Sequence, residues 1–141
     1  VDEVDTLFNK KSGMKGMTGE SDMRSVWDMI HNDDDPEAQQ RARTAMDVYI
    51  NRLLKYVGSY TAELGGLDVI TFTAGIGEND SDVRRELAEA LAPFGVTIDV
   101  DANKARSGEP RIISTPDSTV TLVVFPTNEE LAIARQALTF A

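Results

Sequence analysis

Leu67-Asp68-Val69-Ile70-Thr71-Phe72-Thr73, running straight into Ala74-Gly75-Ile76-Gly77-Glu78-Asn79, is the stretch that decides the fold class. A short apolar, β-branched run predicts a strand buried on both faces, as in a parallel or mixed sheet. Gly75-Ile76-Gly77 predicts the turn that breaks it. On one side lies an amphipathic helix over about 36–64, carrying Met46, Tyr49, Ile50, Leu53, Val57, Tyr60, Thr61 and Leu64 at spacings of three and four and closed by Gly65-Gly66. On the other, Val83, Leu87, Ala90 and Leu91 predict a helix over about 80–92, closed by Pro93 and Gly95. Helix, strand, glycine turn and helix in that order argue an α/β domain.

Further out, three strands are expected at Val96 to Asp99, Arg111 to Ser114 and Val120 to Phe125, the last two forming a hairpin about Pro116-Asp117. Pro126 ends the last strand. Thr127 and Glu130 match a capping box, so a closing helix is expected over about 127–141, with Leu131, Ala134 and Leu138 on one face. Towards the N-terminus, Ser21 or Asp22 caps a helix whose stripe is Met23, Val26, Trp27 and Ile30 and which stops near Asn32. Asp33-Asp34-Asp35-Pro36-Glu37 reads as a solvated turn and the acidic start of the next helix. Residues 1–21 begin with an acidic helical turn and then read as loop, interrupted by Gly13, Gly16 and Gly19, with no stable element expected.

Composition bounds the function. The 141 residues are 41% hydrophobic and 27% charged, which suits one compact soluble unit, and no run approaches the ~20 apolar residues of a membrane span. A net charge of -10 argues against nucleic acid and anionic lipid as partners. The absence of cysteine rules out disulfides and thiolate metal sites and fits a cytoplasmic location. Beginning at Val1, the chain reads as a piece of something longer.

Three segments could carry chemistry. Gly75 to Asn79, between a strand and a helix, suits close approach of a ligand, though a plain turn capped by Asn79 or Asp80 has the same pattern. It is neither a three-glycine dinucleotide fingerprint nor a P-loop. Arg24 lies in a first turn, where the helix dipole disfavours a cation, so an anion should be close: Asp22, or a bound nucleotide. Glu129 is left over once Glu130 is assigned to the cap, and it stands just past a strand end, where ligands gather in α/β sheets. His31, the only histidine, reads as exposed and structural.

Taken together, Asn9-Lys10-Lys11-Ser12-Gly13, Ser21-Asp22-Met23-Arg24, Phe72 to Asn79 and Phe125-Pro126-Thr127-Asn128-Glu129-Glu130-Leu131 resemble the acetate kinase family in order and approximate spacing. The resemblance implies the distal portion of a second, ribonuclease H-like domain of the type found in sugar kinases, Hsp70 chaperones and actin, with a mixed sheet, flanking helices and a closing helix. It implies that Asp22, Met23 and Arg24 and Gly75, Ile76, Gly77, Glu78 and Asn79 line an ATP pocket, the latter around the adenosine, and that Glu129 serves Mg2+. The family's serine-rich loop before Asp-X-Arg is replaced here by Thr18-Gly19-Glu20. Its acyl pocket, transition-state arginines and histidine, and main phosphate loop lie upstream of this stretch, so no catalytic residue is assigned. Acetate and acetyl phosphate would be partners only with that upstream part. The exposed apolar face of the closing helix favours self-association. A propionate kinase, or a stand-alone nucleotide-binding module, remains an alternative.

Overall fold

Pro36 opens the longest element, α4 (Pro36–Leu64), over the span that its apolar spacing predicts. It ends at Gly65, whose φ of +75° belongs to the left-handed region open to glycine, and the Gly66 amide closes the end by donating to Thr61 O at 3.1 Å. The computed structural model describes residues 1–140 and divides inside this helix into two units, Val1–Tyr60 and the remainder from Thr61.

In the first unit, α3 (Met23–Asn32) buries Val26 and Trp27, and α4 buries Ala38, Ala42, Ala45, Met46 and Ile50. Trp27 takes the Arg43 guanidinium over its ring at 5.6 Å and stacks with His31 at 5.9 Å. Before α3, the acidic helical turn expected at the start extends into a nine-residue helix, α1 (Asp2–Lys10), and a second helix, α2 (Gly13–Thr18), forms where the glycines predict loop. Gly13 and Gly19 bracket α2 instead of breaking it. In α1 the macrodipole is matched by Asp2, Glu3 and Asp5 in the first turn and Lys10 in the last. Neither helix buries a residue.

The second unit is built on a three-stranded mixed sheet of order β1-β3-β2. The strand β1 (Val69–Phe72) runs parallel to β3 (Thr121–Val124), and β2 (Arg111–Ile112) pairs antiparallel with β3 across the expected hairpin. The turn is held by Ser118 N donating to Thr115 O. Central β3 buries Leu122 and Val124. Its neighbour β1 is the outer strand, so of its residues only Phe72 is buried and Val69 is half exposed; the expectation of burial on both faces is not met. The expected strand at Val96 to Asp99 shortens to one antiparallel bridge, Ile98 with Ser114. A helix not anticipated, α7 (Val100–Lys104), follows because Asp99 caps it by accepting from the amides of Asp101 and Ala102.

Glycines 75 and 77 do not make the expected turn. They lie within a six-residue helix, α5 (Ala74–Asn79), followed by α6 (Ser81–Ala90). The chain turns at Ala74, whose φ of +58° is the one positive value among the described non-glycine residues. Asp80 caps α6 by accepting from Asp82 and Val83. Val83, Leu87, Ala88 and Leu91 complete the core with Val96, Ile113 and Val120. The closing helix is α8 (Glu129–Ala137), continued by a 3-10 turn at Leu138–Phe140; Ala141 lies outside the described residues. No helix among the described residues is long and apolar enough to cross a membrane.

Candidate functional site

Parallel pairing of β1 with β3, in a register that sets Phe72 opposite Val124, brings the C-terminal ends of both strands to one edge of the sheet. The pairing extends one residue further, Phe125 N donating to Phe72 O at 2.8 Å. From this edge β1 leads into α5, and β3 leads through Pro126 and Thr127 into α8. Two of the segments singled out in the sequence, Gly75 to Asn79 and Thr127 to Glu129, are therefore neighbours in space although about fifty residues apart in the chain.

One side chain joins them. Glu78 Oε1 accepts from the Thr127 amide at 2.9 Å and from the Thr127 hydroxyl at 3.0 Å. The Thr127 amide holds the Glu78 carboxyl below its usual pKa, with smaller help from the Thr127 hydroxyl and the Ala74 amide. Thr127 is thus not the helix cap that the capping-box pattern predicts. Asn128 is the cap, its Oδ1 accepting from Leu131 N at 2.9 Å. The preceding threonine is diverted because Glu78 is a charged acceptor within reach of its hydroxyl and its amide together.

The two glycines of α5 differ in what they need. A Cβ on Gly77 would stand 3.1 Å from the Phe72 carbonyl carbon, so this glycine lets α5 lie on the end of β1. A Cβ on Gly75 would meet nothing within 4 Å, which leaves this backbone open to approach from outside. Ile76 is 40% exposed beside it, and Asn79 turns its Nδ2 back to Gly75 O at 2.9 Å.

Beneath α5 lies a buried guanidinium that sequence reasoning missed. Arg84, 2% exposed, donates from Nη1 to the carbonyls of Gly77 and Glu78 at 2.8 and 2.9 Å, and from Nε and Nη2 to Asn103 Oδ1 and O at 2.7 Å each. Buried Asn103 returns its own amide to Ser81 O at 2.9 Å. The last carbonyls of α5, orphaned because the helix stops there, are satisfied by this one side chain. Burial lowers the pKa of Arg84, and the charge of Arg111 adds to the effect. The sequence held a signal: Arg84 shares the helical face of Leu87, Ala88 and Leu91, where an arginine needs several acceptors.

In the first unit, Asp22 caps α3 by accepting from Arg24 N at 2.9 Å, and its carboxylate also holds the Arg24 side chain at 2.6 and 3.1 Å. The bond to the guanidinium, more than that to the amide, brings the Asp22 pKa down to about 2. Arg24 therefore has its anion two residues away, yet its side chain is 91% exposed. Met23 starts the helix. Glu129 stands exposed in the first turn of α8, where the helix dipole favours a carboxylate. Among the described residues no three His, Cys, Asp or Glu side chains gather to hold a metal. A lone carboxylate does fit an ion such as Mg2+, which keeps several waters and shares its remaining positions with phosphate oxygens.

Comparison with known proteins gives one consistent set. The Acetokinase family model matches residues 1–135. An acetate kinase of Leifsonia xyli is 49% identical over 138 residues, 98% of this chain and 34% of that protein. The crystal structure of Porphyromonas gingivalis acetate kinase superposes with a TM-score of 0.83 at 39% identity, covering 99% of this chain and 34% of that one. A propionate kinase from Francisella tularensis superposes with a TM-score of 0.81 at 35% identity, covering 95% and 33%. The chain spans about a third of the length of these relatives.

Proposed function

The chain belongs to the acetokinase family, and from that premise we propose that it is the C-terminal, nucleotide-binding part of an enzyme that moves the γ-phosphoryl of ATP to acetate, giving ADP and acetyl phosphate reversibly. What carries the reading is the convergence of α5 and the Thr127-Asn128-Glu129 segment at the C-terminal ends of two parallel strands, the place where open α/β sheets take ligands. The mixed sheet with flanking helices agrees with a ribonuclease H-like second domain, of which this is the distal portion, and we place the enzyme in the cytoplasm.

In this proposal Gly75, Ile76, Gly77, Glu78 and Asn79 present the open main chain of α5 and the exposed Ile76 face to the adenosine. Asp22, Met23 and Arg24 contribute at the mouth of α3, the exposed guanidinium offering a charge to phosphate. Glu129 would supply one carboxylate to Mg2+, which when bound neutralises charge on the phosphate oxygens. The protein's own contribution is position: phosphoryl transfer asks for alignment and charge compensation, and Arg84 beneath α5 serves the first of these. The isolated chain, lacking the acyl half of the site, is expected to bind ATP weakly and to be inactive.

The test is trapping of acyl phosphate by hydroxylamine, with the full-length protein supplied with Mg2+, ATP and either acetate or propionate. Acetyl phosphate formation that collapses in Glu129→Ala supports the reading. Preference for propionate would transfer it to propionate kinase, the alternative with which the Francisella similarity is consistent. Sub-millimolar MgATP binding by the 141-residue chain would instead favour a self-sufficient nucleotide-binding module.

A further inference from the structure

The entry of α8 is the least supported part of the candidate site. None of its residues is buried: its apolar Leu131 and Ile133 are both exposed. Packing of its own side chains therefore does not determine where Glu129 stands. The fixed points are upstream, in the backbone hydrogen bond of Phe125 to Phe72 and in the two hydrogen bonds that Thr127 donates to Glu78. Glu78 is itself held from below, because its carbonyl accepts from buried Arg84. A continuous chain of bonds thus runs from the interior at Asn103 through Arg84 and Glu78 to Thr127, two residues before Glu129.

We propose that Glu78 is a positioning residue whose carboxylate latches Thr127 and so sets Glu129 relative to α5, coupling the nucleotide segment to the cation carboxylate. This rests on the roles proposed above for α5 and Glu129. Glu78 is itself part of the nucleotide segment, and its side-chain Oε1 is engaged by two donors on one residue. An amide and a hydroxyl converging on the same charged oxygen fix both the direction and the distance of the segment, where one bond would leave it free to swing. Releasing the latch leaves Glu129 on a helix tethered through the end of β3 alone, and a cation that takes one protein carboxylate loses the group that was aimed at it.

The experiment is a double-mutant cycle in the full-length protein carrying this chain, with Glu78→Ala, Thr127→Val and both together. Two readouts are taken: hydrogen exchange of a peptide covering residues 125–131, and the magnesium concentration that half-saturates ATP turnover. Glu78→Ala is expected to speed exchange roughly tenfold, the scale of a lost charged hydrogen bond. It should also raise the half-saturating magnesium several-fold, a larger change than any in kcat at saturating magnesium, since alignment more than the chemical step is lost. Thr127→Val should act in the same direction, more weakly, and add nothing in the Glu78→Ala background. Should Glu78→Ala fail to fold, Glu78→Gln carries the same readouts with shape retained and charge removed. The proposal is overturned if Thr127→Val has the same effect in both backgrounds, or if kcat falls with the magnesium requirement unmoved. If the native protein does not phosphorylate acetate, the functional reading falls alone, and the exchange cycle still decides the latch.

Discussion

Two arginines divide the labour in this chain. Arg84 is 2% exposed and gives its donors to three carbonyl groups and one side-chain amide, whereas Arg24 holds only Asp22, two residues away, with 91% of its side chain in solvent. A guanidinium whose fork is filled by backbone carbonyls has become part of the scaffold. One held by a single exposed carboxylate can exchange that partner for a phosphate at little cost, because an exposed ion pair contributes little. The contrast predicts the largest effect: Arg84→Ala, by leaving the buried Asn103 acceptors and the half-buried Gly77 and Glu78 carbonyls unpaired, should lower unfolding free energy by about 3 kcal/mol in denaturant titration. Arg84→Lys should recover little, since an ammonium cannot reproduce the fork. Arg24→Ala should leave the unfolding midpoint in place; an equal loss there would break the distinction.

The glycines of α5 extend the comparison from charge to shape. Gly77→Ala places a Cβ about 3.1 Å from the Phe72 backbone, and the expected cost is about 1–3 kcal/mol by thermal unfolding. Gly75→Ala enters open space within a helix and should be neutral or gain up to about 1 kcal/mol. A variant at position 77 therefore reports packing, and only one at position 75 can report on a ligand. If Gly75→Val leaves stability intact and raises the KM for MgATP in the full-length protein, the open backbone of α5 faces the nucleotide.

The sequence revealed what depends on period and punctuation. The bounds of α4 and the hairpin are written in apolar spacing and in glycine and proline positions and appear where expected; of the two caps offered for α3 it is Asp22 that serves, and the closing helix is present but starts at Glu129. It was silent or misleading where a partner distant in the chain decides. Glycines that look like a turn became α5 because Arg84 satisfies its end. Thr127 looks like a cap and serves as a donor to Glu78, forty-nine residues before it. The Leu67 to Thr73 run looks doubly buried, yet β1 is an outer strand here. Candidate residues could be named from their neighbours in sequence, but the meeting of α5 with the Thr127 segment follows only from the parallel register of β1 with β3.

Asn128 tests how far α8 depends on its cap. With no buried residue to hold it, the helix lacks the packing that usually outweighs a lost cap. Asn128→Ala should cost about 1 kcal/mol locally, seen as faster amide exchange at Leu131 with the global unfolding midpoint unchanged. Asn128→Asp should restore protection, because an aspartate caps equally well and favours the helix dipole.

The smallest effect probes the exposed arginine through its partner. Asp22 is held at about 2, below the usual value of 3.8, so its contribution to stability is complete above pH 4 and is lost as pH falls from there through 2. The same bond raises the pKa of Arg24, which stays charged throughout, so only the carboxyl titrates in this window. Asp22→Asn keeps an oxygen to cap α3 and removes the charge. Helicity followed by circular dichroism between pH 5 and 2 should fall more steeply for the native chain than for this variant, and added salt should narrow the difference because the pair is exposed. Equal slopes would mean that Arg24 is not held by Asp22 in solution. The two arginines would then differ more sharply still, one fixed in the scaffold and the other free for a phosphate from the outset.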